Sequence, residues 1–228
     1  MNYCLYCGEK ISKTISWGTL FVLEADKYSC EKCVQAFQEI KGEYCRRCYK
    51  RCEQECCDDC YKWKVIYDGN DPLHKNISIY HYNDKMKDVI SKWKYRGDYA
   101  LGDIFKQKFQ TVFQENFSQI NKNTLIVPIP LSEKRLHERN FNQAAQLASF
   151  LTTNISPILE RTHTEKQSKK SRKERLMSKN PFLLREKVQS DVILIDDIYT
   201  TGQTVRHAAS LLKQNGCTNI YAFTLVRG

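Results

Sequence analysis

Ten of the eleven cysteines precede residue 61, at Cys4, Cys7, Cys30, Cys33, Cys45, Cys48, Cys52, Cys56, Cys57 and Cys60. Four C-x2-C pairs stand among them: Cys4/Cys7, Cys30/Cys33, Cys45/Cys48 and Cys57/Cys60. A two-residue gap lets a tight turn aim both thiolates at one cation, and two pairs complete a tetrahedral sulfur shell at about 2.3 Å per bond. Eight ligands make two Zn2+ sites, closed and structural because no coordination position is left for water. A disulfide framework is the competing use of the same residues. The start of the chain, Met1-Asn2-Tyr3-Cys4, has no basic and apolar export signal, so the expected compartment is the cytosol, where thiols stay reduced. Spacing alone leaves consecutive and interleaved pairing open, with consecutive the expectation. Cys57 keeps the two-residue gap to Cys60, so Cys52 and Cys56 are read as spare thiols.

The second chemical constellation is Val192-Ile193-Leu194-Ile195-Asp196-Asp197-Ile198-Tyr199-Thr200-Thr201-Gly202-Gln203-Thr204. A hydrophobic strand delivers two adjacent carboxylates to its tip, and a hydroxyl-rich turn with one glycine opens the next helix. Backbone N–H groups, the positive helix end and the hydroxyls of Thr200, Thr201 and Thr204 can donate to a phosphate dianion. The carboxylates suit the hydroxyls of an attached sugar. Capping the helix would need one acid, whereas two neighbours repel unless a polyhydroxylated or metal partner offsets them. At a strand tip they are expected to contribute ligand contacts rather than packing.

This segment resembles the 5-phosphoribosyl-1-pyrophosphate (PRPP) loop of type I phosphoribosyltransferases. The resemblance implies that Asp196 and Asp197 bind ribose hydroxyls and that Thr200, Thr201, Gly202, Gln203 and Thr204 take the 5-phosphate. Pro128-Ile129-Pro130 resembles the pyrophosphate loop. Lys94-Tyr95-Arg96-Gly97-Asp98, Arg139-Asn140-Phe141-Asn142-Gln143, and Gln167-Ser168 with Arg175 occur in the order that makes nearly the whole chain similar to the ComF family of competence proteins. Asn140 stands where that pattern has glycine, and is expected to stiffen the approach to the next helix. The resemblance implies a role in natural transformation: binding PRPP or a related phosphoribosyl group and handling incoming single-stranded DNA on the cytosolic side, beside a ComFA-like helicase. The alternative is an active transferase that moves phosphoribose from PRPP, with Mg2+, to an unknown acceptor. Arg139, Lys166, Lys169, Lys170, Arg172 and Arg175, with Pro128 and Ile129, are the candidate pyrophosphate or DNA contacts. The binding reading is preferred because no acceptor pocket is evident.

These groups need elements to hold them. The chain of 228 residues, 41% hydrophobic, suits one ordinary domain preceded by a small module, and no apolar run approaches the roughly 20 residues of a membrane span. The cysteine-rich part, residues 1–66, has few aliphatic residues and needs metal to hold a fold. Tyr67-Asp68-Gly69-Asn70-Asp71-Pro72 reads as a linker, and residues 75–228 follow as the phosphoribosyltransferase-like domain. There a strand over 77–82 precedes a helix capped by Asp84 and carrying Met86, Val89, Ile90 and Trp93 at helical spacing; Trp93 is read as core. A second amphipathic helix spans 101–113, a buried strand 125–127, and a helix 142–151. Strands follow over 157–159 and 192–195, with the basic stretch and Phe182-Leu183-Leu184 between them, then a helix over 204–214 and a strand over 219–226. This alternation predicts an α/β fold with a mainly parallel sheet, helices on both faces and the ligand at the carboxyl ends of the strands. The formal charge is +10, and residues 161–187 hold ten cations against Glu165, Glu174 and Glu186, a net +7 that suits a polyanion or a solvated face.

Overall fold

A computed structural model of the chain describes residues 3–11, 27–95, 98–152, 154–162 and 180–228. Its centre is a parallel sheet whose hydrogen-bonded order is β1 (Lys75–His81), β6 (Ile220–Arg227), β5 (Val192–Tyr199) and β2 (Leu125–Pro128). Successive side chains in a strand point to opposite faces. In β5 that alternation sends Ile193 and Ile195 into one core and Val192 and Leu194 into another. A strand buried on both sides reads as a continuous apolar run, as 192–195 does.

On the first face pack α3 (Asp84–Tyr95), a 3-10 helix (Tyr99–Phe105) and α4 (Lys106–Phe117). Met86, Val89, Ile90 and Trp93 meet Phe105 and Phe109 there. Trp93 is wholly buried, and its Nε1 donates to Gln146 Oε1 at 2.9 Å, so it is a core residue. Two sequence expectations change here. Asn83, not Asp84, caps α3, its Oδ1 accepting from Met86 N at 2.8 Å. The helix expected over 101–113 is divided, because Asp98 accepts from Leu101 N and starts a tighter turn that α4 then relaxes. Arg96 and Gly97, in the Lys94-Tyr95-Arg96-Gly97-Asp98 segment that follows the helix, lie outside the described residues.

β2 leads into α5 (Glu133–Arg139), which the sequence pattern did not announce, and α6 (Gln143–Ser149). Asn140 adopts φ 62° and closes α5 in the left-handed conformation. It therefore ends the preceding helix rather than stiffening the approach to the next, and asparagine is the residue after glycine that best tolerates this. β3 (Leu159–Arg161) and β4 (Phe182–Leu184) pair with each other as a separate antiparallel ribbon.

On the second face lie α7 (Gln203–Gln214) and, from the cysteine-rich segment, α2 (Asp58–Ile66) with the second group of cysteines, while α1 (Glu31–Ala36) leads through Phe37 into the first-face core. Val205, Ala208, Ala209 and Leu212 of α7 share one core with Leu194, Ala222 and the sulfurs of Cys45, Cys48, Cys57 and Cys60. Residues 38–47 also cover the outer edge of β1: Ile40 N donates to Ile79 O at 2.9 Å and Asn76 N to Arg47 O at 2.8 Å. A covered edge cannot pair with another chain. Beneath the segment is a buried polar triad, in which Asn76 Nδ2 donates to Ser78 Oγ at 2.8 Å and Ser78 and Thr224 share a bond of 2.7 Å. Among the described residues no helix is long and apolar enough to cross a membrane.

Because a buried donor left without its partner costs about 1–3 kcal/mol, Thr224→Val should destabilise the chain by that amount while Thr224→Ser stays near the parent. Urea unfolding midpoints of the three proteins check it; a valine variant as stable as the parent would show the triad to be dispensable.

Candidate functional site

Cys4, Cys7, Cys30 and Cys33 form one group, Cys45, Cys48, Cys57 and Cys60 another, with the sulfurs of each group within 4.8 Å of one another. Pairing is thus consecutive. Cys30 and Cys57 each precede a short helix, which brings Cys33 and Cys60 round to the same side three residues later. Sulfur separations of 3.7 Å for Cys7 and Cys30, 3.7 Å for Cys45 and Cys60, and 3.5 Å for Cys48 and Cys57 match closely packed ligands. A tetrahedron with bonds of about 2.3 Å has edges of about 3.8 Å, so both groups fit a metal ion of zinc's size and softness. Hydrogen bonds from Cys48 and Cys60 hold the Cys45 thiol far below its usual range, and the same sharing pushes Cys60 far above. A dication held there would replace the shared protons. Cys52 and Cys56 stand outside both groups.

The acid pair sits elsewhere. β2 stops pairing at Pro128 opposite Ile195, while β5 continues to Tyr199 along β6. Past Ile195 the flank of β5 opens into a cleft of about 150 Å³ lined by Asp196, Asp197, Lys94, Arg135, Arg139 and Arg161, with Ile129, Gln143 and Thr204 among the remaining walls. The carboxylates therefore lie within a paired strand rather than at its tip. Asp197 forms an ion pair with Lys94 of α3, and both are largely buried. Asp196 accepts from Asp197 N at 2.9 Å. Burial, then the charge of Asp197, pushes the Asp196 carboxyl up to about 7, against the opposing pull of that hydrogen bond, Lys94 and Arg161. These acids thus also belong to the packing, contrary to the sequence expectation: removing Asp197 strands a buried ammonium.

Opposite them the arginines are incompletely partnered among the described residues. Arg139 is 7% exposed and donates Nη1 to Gln143 Oε1 at 3.1 Å, yet its Nε and the Gln143 Nε2 are buried without a hydrogen-bond partner among the described residues. Burial and the neighbouring Arg135 pull the Arg161 guanidinium below its usual range, the sign of crowded positive charge. Such a wall accepts an anion that brings its own acceptors. Sequence reasoning singled out Arg139 but missed Lys94, Arg135, Arg161 and Gln143 as a set; helical spacing does place Arg135 and Arg139 on one side of α5, while Gln143 comes from α6 beyond the Asn140 break.

The hydroxyl-rich turn follows. Thr204 lines the cleft, Thr200 and Thr201 are exposed, and Gly202 is buried at φ 78°, where any side chain would collide with Tyr199 and Arg206. No side chain caps α7 at Gly202, while Thr201 Oγ1 accepts from Gln203 N at 3.4 Å. Of the pyrophosphate-loop residues, Ile129 lines the cleft and Pro128 is buried behind it as the last residue of β2. Lys166, Lys169, Lys170, Arg172 and Arg175 lie outside the described residues.

The Asp196 carboxyl generates a pH prediction. Its folded value, about 7, lies above the unfolded value near 4, so the folded state holds the proton longer and stability falls as pH rises between the two. Asp196→Asn keeps the acceptor for Asp197 N and removes the titration. The variant's melting temperature relative to the parent should climb from pH 4 to pH 7 and level off above; a difference independent of pH would refute this.

No protein-family model matches the chain. It is 37% identical to competence protein ComFC of Bacillus subtilis (strain 168) over 228 residues, 98% of this chain and 94% of that protein. Against competence protein ComFC of Streptococcus pneumoniae (strain ATCC BAA-255 / R6) the identity is 32%, over 98% of this chain and 99% of that one. Among solved structures, a hypoxanthine phosphoribosyltransferase from Staphylococcus aureus aligns with TM-score 0.35 and 14% identity over 55% of this chain and 64% of that one, too loosely to add to the fold described above. Two full-length relatives of one kind, at such identities, carry the conclusion: the chain belongs to the ComFC family of competence proteins.

Proposed function

We propose that the chain acts in DNA uptake during natural transformation, on the cytosolic side, binding PRPP or a related phosphoribosyl group in the cleft and single-stranded DNA beside it. The observation that carries this reading is the meeting of two carboxylates with a buried, incompletely partnered Arg139 across one small cleft. Sugar hydroxyls donate to the acids, phosphate oxygens accept from Arg139 and Gln143, and the turn over residues 200–204 takes the terminal phosphate. Residues 75–228 carry this site. Residues 1–66 carry Zn2+ in both cysteine groups, where it supplies fold rather than chemistry. A ComFA-like helicase is the partner expected to deliver the strand.

Turnover is the second reading, and one observation favours it: a carboxyl held near 7 is suited to proton transfer at neutral pH. In that case Mg2+ enters on the pyrophosphate, and Arg135, Arg139 and Arg161 stabilise the leaving group while Asp196 takes a proton from the acceptor.

PRPP titration with pyrophosphate detection, with and without single-stranded DNA, separates the two. Binding without release above the protein-free control supports the binding role, whereas release establishes transfer. Asp196→Asn with Asp197→Asn, and separately Arg139→Gln, should each lose at least about tenfold in PRPP affinity, the order of a charge-assisted hydrogen bond or two. Unchanged affinity in folded variants would remove the cleft from consideration.

For DNA, removing one phosphate interaction lowers the salt slope of log K by about 0.7 on single strands. Lys169→Ala, Lys170→Ala and Arg172→Ala together should flatten the slope by about 2 and weaken binding without sequence preference, since backbone interactions carry no base information. A triple variant with the parent's slope and affinity would assign the basic stretch to solvent.

A further inference from the structure

The second cysteine group touches the hydroxyl-rich turn through two side chains that the proposed function does not use. Arg227, 4% exposed at the end of β6, donates Nε to Cys48 O at 3.1 Å and approaches Cys48 Sγ with Nη2 at 3.6 Å. Its remaining nitrogen, Nη1, reaches Tyr199 O at 3.2 Å and Thr200 O at 2.8 Å. From α2, three residues beyond Cys60, Trp63 donates Nε1 to Thr201 O at 2.7 Å. Trp63 is itself buried and lies against Arg206, whose guanidinium sits 4.7 Å from the ring and is tied to Asp71 at 2.9 Å. Of two successive carbonyls of the turn, Thr201 O is therefore held by the cysteine segment itself and Thr200 O by Arg227 of β6, which is tied to Cys48.

The consequence follows from peptide geometry. In a trans peptide the carbonyl and the next N–H point opposite ways. Holding Thr200 O and Thr201 O toward the cysteine segment turns the N–H groups of Thr201 and Gly202 away from it, to the outer side of the turn. Gly202, packed on Tyr199 and Arg206, admits no side chain that could loosen this. The turn is preorganised from behind, by donors on its carbonyls. Four thiolates around one dication leave a net charge of about −2, which Arg227 at Cys48 offsets. The same guanidinium thus answers both to the metal shell and to the turn.

We propose that the cluster Cys45, Cys48, Cys57 and Cys60 is the support of the phosphate-binding turn, with Arg227 and Trp63 as positioning residues, so that metal held there and anion held at residues 200–204 strengthen one another. This rests on the reading that the turn takes phosphate and the cluster holds Zn2+. The first cluster, Cys4, Cys7, Cys30 and Cys33, lies in a separate core and has no such link among the described residues. Coupling is reciprocal at equilibrium, so it can be read from the metal side.

The experiment uses the full zinc-loaded chain with ribose 5-phosphate as probe. In equilibrium competition with a chromogenic chelator, saturating ribose 5-phosphate should raise the affinity for one of two ions by about fivefold, the low end of common couplings, and leave the other unchanged. Cys7→Ser, which disables the first cluster, identifies the responsive ion as the second. Trp63→Phe keeps the ring and the second ion but should erase the difference, and should speed amide exchange over residues 199–204 by about fivefold, the order of one hydrogen bond. A merely structural tryptophan would shift both ions alike. Equal response of both ions, or unchanged exchange in both Trp63→Phe and the chelator-stripped parent, overturns the proposal. If ribose 5-phosphate fails to bind at all, the phosphate reading falls, and exchange in the stripped parent and in Trp63→Phe still decides whether the cluster holds the turn.

Discussion

A difference in strand length governs what the molecule can do. β5 keeps pairing with β6 to Tyr199 and Arg227, but β2 leaves it at Ile195. Had β2 continued, its backbone would occupy the flank on which Asp196 and Asp197 now face a cleft. The last ladder bond runs from Ile129 N to Ile195 O at 2.9 Å, and the chain departs after it. The chain then turns through Ile129 and Pro130 into α5 and α6, and that detour brings Arg139 and Gln143 opposite the acids. One interrupted pairing thus creates the opening and delivers its far wall.

The cost of this arrangement is buried charge, and the fold handles it in two ways. Where a partner is available the pair is complete: Arg206 and Asp71 are 2% and 4% exposed at their side chains and meet at 2.9 Å, with Tyr199 as a further acceptor. Breaking such a pair by removing one member costs about 3–5 kcal/mol, because the other charge stays behind. In the cleft, Lys94 answers Asp197, while Arg139 keeps an unpartnered nitrogen and Asp196 keeps its proton to about 7. Incomplete satisfaction in one place, amid careful pairing elsewhere, is what supports the proposal of a ligand there.

The cysteine segment is continuous with this economy rather than appended to it. Tyr6 of the first cluster's loop reaches Asp88 on α3, with Lys85 and Lys92 beside its ring, and Phe37 enters the core on the sheet's first face. Cys48 O receives both Asn76 and Arg227 from the sheet. α3 also carries Lys94, so the two cysteine groups bear on the cleft from different sides, one behind the helix that pairs Asp197 and one behind the turn that follows β5.

Much of this was legible in the residues. Four C-x2-C pairs named their chemistry, because metal coordination by a turn is a local matter of two-residue spacing. The run 192–195 and the periodic Met86, Val89, Ile90 and Trp93 named strand and helix, because side-chain periodicity is local too. Which cysteine pairs joined, that Asp71 in an apparent linker would be buried against Arg206, and that Arg135, Arg139, Arg161 and Lys94 would converge on one cleft came only with the tertiary structure. Those outcomes depend on contacts between residues far apart in the chain, and no local spacing encodes them. Even Asp196 shows the division: its identity as half of an acid pair is written in the sequence, but its proton affinity is set by burial and by the charges that the fold carries to it.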